Sequence, residues 1–154
     1  MNRKHFLSLV ATATAVLSMS AFAQERGSRD EAKALVDKAV AHAKQVGTEQ
    51  AFKDFMTDRP TWTHKDLYVF ATSFEGVMLA NGANERLVGK NLMELKDQNG
   101  KAFVKEYLAA AQSKGSAWTD YDWPNPTTKK VEQKTSYVRR LDGAPAVVGV
   151  GVYR

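Results

Sequence analysis

Ala32, Leu35, Val36, Ala39, Val40, Ala43 and Val46 recur at steps of three and four residues. That spacing predicts one apolar stripe on a helix of about four to five turns. Lys33, Asp37, Lys38, His42 and Lys44 occupy its other faces. Ser28 or Asp30 can cap its start, and Gly47 ends it. Thr48 opens a second, shorter helix carrying Ala51, Phe52, Phe55 and Met56, which Pro60 is expected to stop. The period then changes. Leu67 to Phe74, "LYVFATSF", is rich in aromatic and β-branched residues, and Glu75-Gly76 predicts a tight hairpin into the returning strand "VMLAN". Gly82 to Arg86 reads as a loop and "LVGKNLMELKDQNG" as a short helical or irregular connector. Lys101 to Ser113 returns to helical spacing, with Phe103, Val104, Tyr107, Leu108 and Ala111 on one face.

The remainder is β in character. Ala117 to Trp123 and Glu132 to Leu141 alternate, while "AVVGVGVY", Ala146 to Tyr153, is nearly continuously apolar. A strand covered on both faces has that composition. Its two glycines mark close backbone approach or needed space. The order of elements predicts an α+β domain with a long N-terminal helix packed on an antiparallel sheet of about five strands.

The first residues change the picture of where this domain works. Arg3 and Lys4 precede the apolar run "FLSLVATATAVL", and Ala21-Phe22-Ala23 is a small-x-small cleavage site. This predicts a signal peptide over residues 1–23 and a single domain over 24–154, exported to a periplasm. The run is short for a membrane span. Removing it takes two positive charges from the +5 of the 154-residue chain. The remaining excess is mild and forms no concentrated basic face, so no nucleic-acid partner is expected. There is no cysteine, which excludes disulfides, thiolate metal cages, thiol nucleophiles and covalent haem attachment.

Candidate catalytic chemistry is sparse. His42 and His64 share no ligand spacing, Asp120 and Asp122 lie at strand spacing without a partner motif, and no serine sits in a nucleophile elbow. No catalytic residue, metal site or cofactor is therefore expected. The most patterned segment is "YDWPNPTTKKVEQKTSYV", Tyr121 to Val138. Thr119, Tyr121 and Trp123 share one strand face; Trp118, Asp120 and Asp122 share the other. On the returning strand Lys134, Ser136 and Val138 alternate against Thr135 and Tyr137. The prolines force an extended-then-turn connection. Aromatic walls, an ammonium and hydroxyls are the parts of a small-molecule site. Alternation alone leaves open which face lines it.

The segments "DLYVFATSFEGVMLAN", "LVGKNLMELKDQNGKAFVKEYLAAA", "WTDYDWPNP", "KTSYVRRLDG" and "VVGVGVY" together resemble a single Cache domain of the type 2 group. The resemblance runs from about Asp30 to Tyr153. It implies a PAS-like sheet under a long N-terminal helix, with a ligand pocket between the sheet and the overlying loops and helices. It implies sensing of a short carboxylate such as acetate, propionate, pyruvate or lactate. The candidate ligand-binding set is Tyr121, Trp123, Lys134, Tyr137, Asn81 and Trp118. Where the family has Asp-x-x-Gly and then Ala-His-Pro, this chain has Ser73-Phe74-Glu75-Gly76 and Ala80-Asn81-Gly82, so Asn81 replaces a histidine. Most members sit on chemoreceptors or histidine kinases. This chain shows no output module of its own, so a stand-alone sensor with a membrane-bound signalling partner is expected. The alternative is an interaction or scaffold protein partnering a membrane sensor or transporter, with a homodimer formed through the N-terminal helix.

Overall fold

A computed structural model describes residues 25–154; the expected signal peptide lies outside the described residues. Helix α1 spans Arg29–Val46. Ser28 and Glu31 close a reciprocal capping box at its start, with the Ser28 N–H donating to the Glu31 carboxylate at 2.7 Å. That satisfies donors every helix start leaves orphaned. Gly47, at φ 86°, ends the helix and hands over to α2, Thr48–Thr57. Pro60 does not stop the chain's helical course. It lies in the first turn of a four-residue helix α3, Arg59–Trp62, because a first turn needs no N–H from proline.

Six strands follow: β1 Thr63–His64, β2 Leu67–Ser73, β3 Met78–Asn81, β4 Ser116–Pro124, β5 Val131–Arg140 and β6 Ala146–Tyr153. They form one antiparallel sheet in the order β1-β2-β6-β5-β4, and β3 pairs with β2. Helix α4, Phe103–Lys114, precedes β4. The predicted helical connector between β3 and α4 contains one 3-10 turn, Glu85–Leu87, and is otherwise irregular. The β2–β3 turn is wider than a two-residue hairpin: Ser73 N–H bonds the Val77 carbonyl and Gly76 N–H the Ser73 carbonyl.

Strand β6 is central, bonded to β2 on one side and β5 on the other. Both its faces are buried, which is why its sequence does not alternate. Ala32, Val36, Ala39, Val40 and Ala43 of α1 pack on one face with Val148, Val150 and Val152. Phe103, Val104, Tyr107, Leu108 and Ala111 of α4 pack on the other with Phe70, Val138 and Val147. The second face is only partly covered by α4, and the candidate site occupies the rest.

Candidate ligand-binding site

The register of the sheet decides which side chains meet. Tyr121 of β4 lies opposite Lys134 of β5, and Lys134 lies opposite Tyr153 of β6. Phe70 of β2 lies opposite Gly149 of β6. With the alternation of side chains, Tyr68, Phe70, Tyr121, Trp123, Lys134 and Tyr153 therefore rise from the α4 face. A cavity of about 20 Å3 is lined by Tyr68, Phe70, Met78, Asn81, Tyr107, Tyr121, Trp123 and Lys134. Its size is that of about one water. Tyr68, Asn81 and Trp123 also line a hollow of about 290 Å3 that extends to Leu87, Pro124, Pro126 and Lys129. The hollow borders the cavity through these three side chains.

Lys134 is 2% exposed. Its Nζ stands 4.3 Å from the ring centre of Tyr68 and 4.9 Å from that of Tyr153, with Phe70 and Tyr121 at 5.7 and 5.9 Å. Ring faces attract an ammonium, more strongly once water is excluded. Nζ donates one hydrogen bond, 2.7 Å to the Tyr68 hydroxyl. It pairs with no carboxylate among the described residues. An ammonium carries three donors, so two have no side-chain acceptor there.

The hydroxyls form an ordered chain. Tyr153 donates to the Pro124 carbonyl at 2.9 Å. With its single proton so used, it accepts from Tyr68 at 3.3 Å, and Tyr68 in turn accepts from Lys134. Nearby, Tyr121 pairs with Ser136 and Tyr107 with Thr72, each at 2.8 Å. Burial pushes the Tyr121, Tyr107 and Tyr153 phenols above their usual range. They remain neutral hydrogen-bonding groups rather than phenolates.

Asn81 ends β3. Its Oδ1 accepts from the backbone N–H groups of Ala83 and Asn84 at 3.0 and 2.9 Å, which leaves the Nδ2 donors for the cavity it lines. The Trp123-Pro124-Asn125-Pro126 connection is held by Asn125, which is 1% exposed. Its Oδ1 accepts from Thr127, and its Nδ2 donates to Glu132 at 3.0 Å. Glu132 also accepts from Thr128 and pairs with Arg26 at 2.9 Å. These donors, Thr128 first, lower its carboxyl to about 2. The prolines and this network fix the loop that lines the hollow beside the cavity.

Four of the six expected residues, Tyr121, Trp123, Lys134 and Asn81, meet at the cavity. Trp118 and Tyr137 do not. They are opposite one another in the register, one position out of phase with Lys134, and so face α1. Arg29 lies over Trp118 and Lys33 over Tyr137, 4.8 and 5.7 Å from the ring centres. Tyr68, Phe70, Met78, Tyr107 and Tyr153 were missed. Tyr68 and Phe70 do alternate in "LYVFATSF", but every residue of β2 is buried, so no polar face marks the other side.

The groups considered for catalysis are dispersed. Asp120 is exposed and bonded to Arg154 at 3.0 Å, and the Asp122 carboxylate is held by the Gln98 and Asn99 amides. His64 stands beside Glu31 on the surface, and His42 pairs with Asp54 between α1 and α2.

The profile of the family described as Single Cache domain 2 matches residues 2–154. The chain belongs to the single Cache domain family. A curated relative, "Sensor histidine kinase MctS" of Rhizobium johnstonii, is 33% identical over 89 residues, which is 58% of this chain and 19% of the kinase. This Cache domain thus spans about a fifth of that relative's length. Among solved structures, a methyl-accepting chemotaxis protein from Vibrio parahaemolyticus superposes with a TM-score of 0.70 at 26% identity, covering 80% of this chain and 86% of the other. A Cache chemosensory domain, whose structure is described as the basis for carboxylic acid recognition, gives 0.69 at 24% identity, covering 80% and 91%. At that identity the second likeness is one of fold. Cache domains are extracytoplasmic sensing modules that bind small molecules rather than enzymes, and they occur on sensor kinases and chemoreceptors. No helix among the described residues is long and apolar enough to cross a membrane.

Proposed function

We propose that this Cache domain is a periplasmic receptor for a short organic acid, whose carboxylate seats against Lys134. The observation that carries this reading is a buried ammonium with unused donors and no carboxylate partner among the described residues. Burying a charge without a counter-charge is costly, and a bound carboxylate would supply both the charge and the acceptors. Asn81 Nδ2 and the Tyr121 and Tyr107 hydroxyls would hold the rest of a small polar molecule, with Phe70, Met78 and Trp123 as apolar walls. An acid of two or three carbons needs more room than the cavity provides. Trp123, half-buried and shared with the outer hollow, is the side chain that would move to admit it. In this reading residues 1–23 direct export and are removed, and a membrane-bound partner relays the signal.

A thermal-shift panel of two- to five-carbon acids tests the proposal. A ligand at a hundredfold excess over its dissociation constant adds about 2.7 kcal/mol to the folded state. A panel without a responder, or a response that survives Lys134→Met, sinks it.

A further inference from the structure

Asn81 is pinned in the wall of the Lys134 cavity. It lies opposite Phe70 in the β2–β3 register, on the face that carries the cavity. The next residue, Gly82, donates its N–H to the Val69 carbonyl at 2.9 Å, and a Cβ there would stand 3.1 Å from the Phe55 carbonyl oxygen. The backbone around Asn81 is thus held by its neighbours. The side chain is held as well, because Oδ1 accepts from two backbone N–H groups, those of Ala83 and Asn84. A flipped amide would set Nδ2 against those donors, so the network itself assigns oxygen and nitrogen. Both lone pairs of Oδ1 are used. What Asn81 presents to a ligand is Nδ2 alone, two donors and no acceptor.

Nδ2 has no hydrogen-bond partner among the described residues. It is also within reach of a ligand. Among those residues, the side-chain polar atoms sealed in without a partner belong to Thr63, Asp66 and Thr135. Asn81 instead lines both the cavity and the hollow that borders it. Lys134 lines the same cavity and has donors to spare. The two residues therefore address one space of about 20 Å3, the size of about one water. Acceptors that meet both must sit close together on the ligand, on neighbouring carbons rather than at opposite ends of a chain.

Resting on the reading of Lys134 as a carboxylate seat, we propose that Asn81 is the specificity-determining residue of the site and selects acids that carry an oxo group on the carbon next to the carboxylate. The carboxylate pairs with Lys134, and the oxo oxygen accepts from Asn81 Nδ2. An unsubstituted acid sets a methylene against Nδ2 and leaves its donors unpaired, which is how a site built to hydrogen-bond a ligand group rejects the analogue lacking it. A 2-hydroxy acid supplies the acceptor but also brings a proton. The hydroxyls around the cavity, of Tyr68, Tyr107 and Tyr121, are already engaged with those of Tyr153, Thr72 and Ser136. Such an acid ranks between the other two. A second carboxylate on the ligand is disfavoured, because the neutral amide brings no charge to meet it.

Calorimetric titration of the full chain with pyruvate, L-lactate and propionate, acids of equal chain length, tests this. Pyruvate should bind about tenfold more tightly than propionate, the worth of one good hydrogen bond, with lactate between them. In Asn81→Ala the preference for pyruvate over propionate should disappear. Loss of the anchor that Oδ1 gives the loop would by itself weaken both acids alike, so the ratio of the two affinities is the reading. Should Asn81→Ala fail to fold, the order of the three acids on the wild type decides. Propionate as tight as pyruvate, lactate tighter than pyruvate, or an unchanged ratio in Asn81→Ala overturns the role of Asn81 and leaves Lys134 as the carboxylate seat. Silence of all three acids on folded wild type overturns the receptor reading and this one with it.

Discussion

Lys134 of β5 donates to the Tyr68 hydroxyl of β2 at 2.7 Å, across a strand that lies between them. The intervening position in β6 is Gly151. A Cβ built there would stand 1.9 Å from Lys134 Cε and 2.5 Å from Ser136 Oγ. The lysine reaches its partner by lying over a residue with no side chain. Two residues earlier in the same strand, Gly149 makes the same allowance for the Phe70 ring.

Gly151→Ala should therefore displace Lys134 from Tyr68 and remove ligand binding. Overpacking of this kind costs about 1–3 kcal/mol. In a Lys134→Ala background the same substitution should cost less, since the lysine stem is gone and only the Ser136 hydroxyl still has to give way. Gly149→Ala meets a rigid ring instead and should show no such relief. Chemical denaturation of the three single and two double variants measures the coupling, and additivity of Gly151→Ala with Lys134→Ala would contradict the geometry.

Lys134→Met keeps the buried stem and removes the unpaired charge. We expect a ligand-free protein that is more stable by roughly 1 kcal/mol, because an uncompensated buried charge is replaced by an apolar group of similar size. The response to organic acids should vanish. Thermal melts with and without acid separate the two effects. Lys134→Ala is the poorer probe: the side chain fills core space, so its truncation confounds folding with binding.

Glu132 sets the pH limit of the loop beside the cavity. Its carboxyl is lowered from 4.5 to about 2, first by the Thr128 hydroxyl and then by Asn125, with Arg26 adding to it. A depressed folded value means this contribution is fully present above about 4.5 and is lost as pH falls toward 2. Between those values the wild type should lose stability more steeply than Glu132→Gln. Parallel curves from acid titration followed by circular dichroism would show that the loop network does not depend on this charge.

Strand β4 is an edge, and the loop before α4 covers it. Asp97 accepts from the backbone N–H of Asp122 at 3.1 Å as well as from Asn99 and Lys101, while Lys101 Nζ donates to the Asp120 carbonyl. Asp97→Ala should lower the melting temperature and increase self-association, because unpaired edge groups invite strand addition. Light scattering at rising concentration reads the second effect; a monodisperse variant would count against the edge role.

Much of this was legible locally. The three- and four-residue steps from Ala32 to Val46 mark α1 because one buried stripe is all a surface helix needs. Ala146 to Tyr153 is β6 in full, since a strand with two covered faces cannot afford polar positions. Pro60 misled, because proline is as compatible with the first turn of a helix as with its end. The cavity was half legible. Lys134, Tyr121 and Trp123 share a face by alternation, whereas Tyr68 and Phe70 lie in a wholly buried strand where alternation carries no signal.

Local pattern by itself determined helices α1, α2 and α4, the central apolar strand, the hairpin around Trp123-Pro124-Asn125-Pro126 and the motifs that carry the family likeness. Each depends on neighbours a few residues apart. Only the tertiary structure decided that Lys134 looks away from α1 with Tyr121 and Trp123, while Trp118 and Tyr137 look toward it. Period-2 alternation divides a strand into two faces without saying which one is covered by which layer. That assignment needs β4 paired with β5, β5 with β6 and β6 with β2, and contacts between residues as far apart as Tyr68 and Lys134.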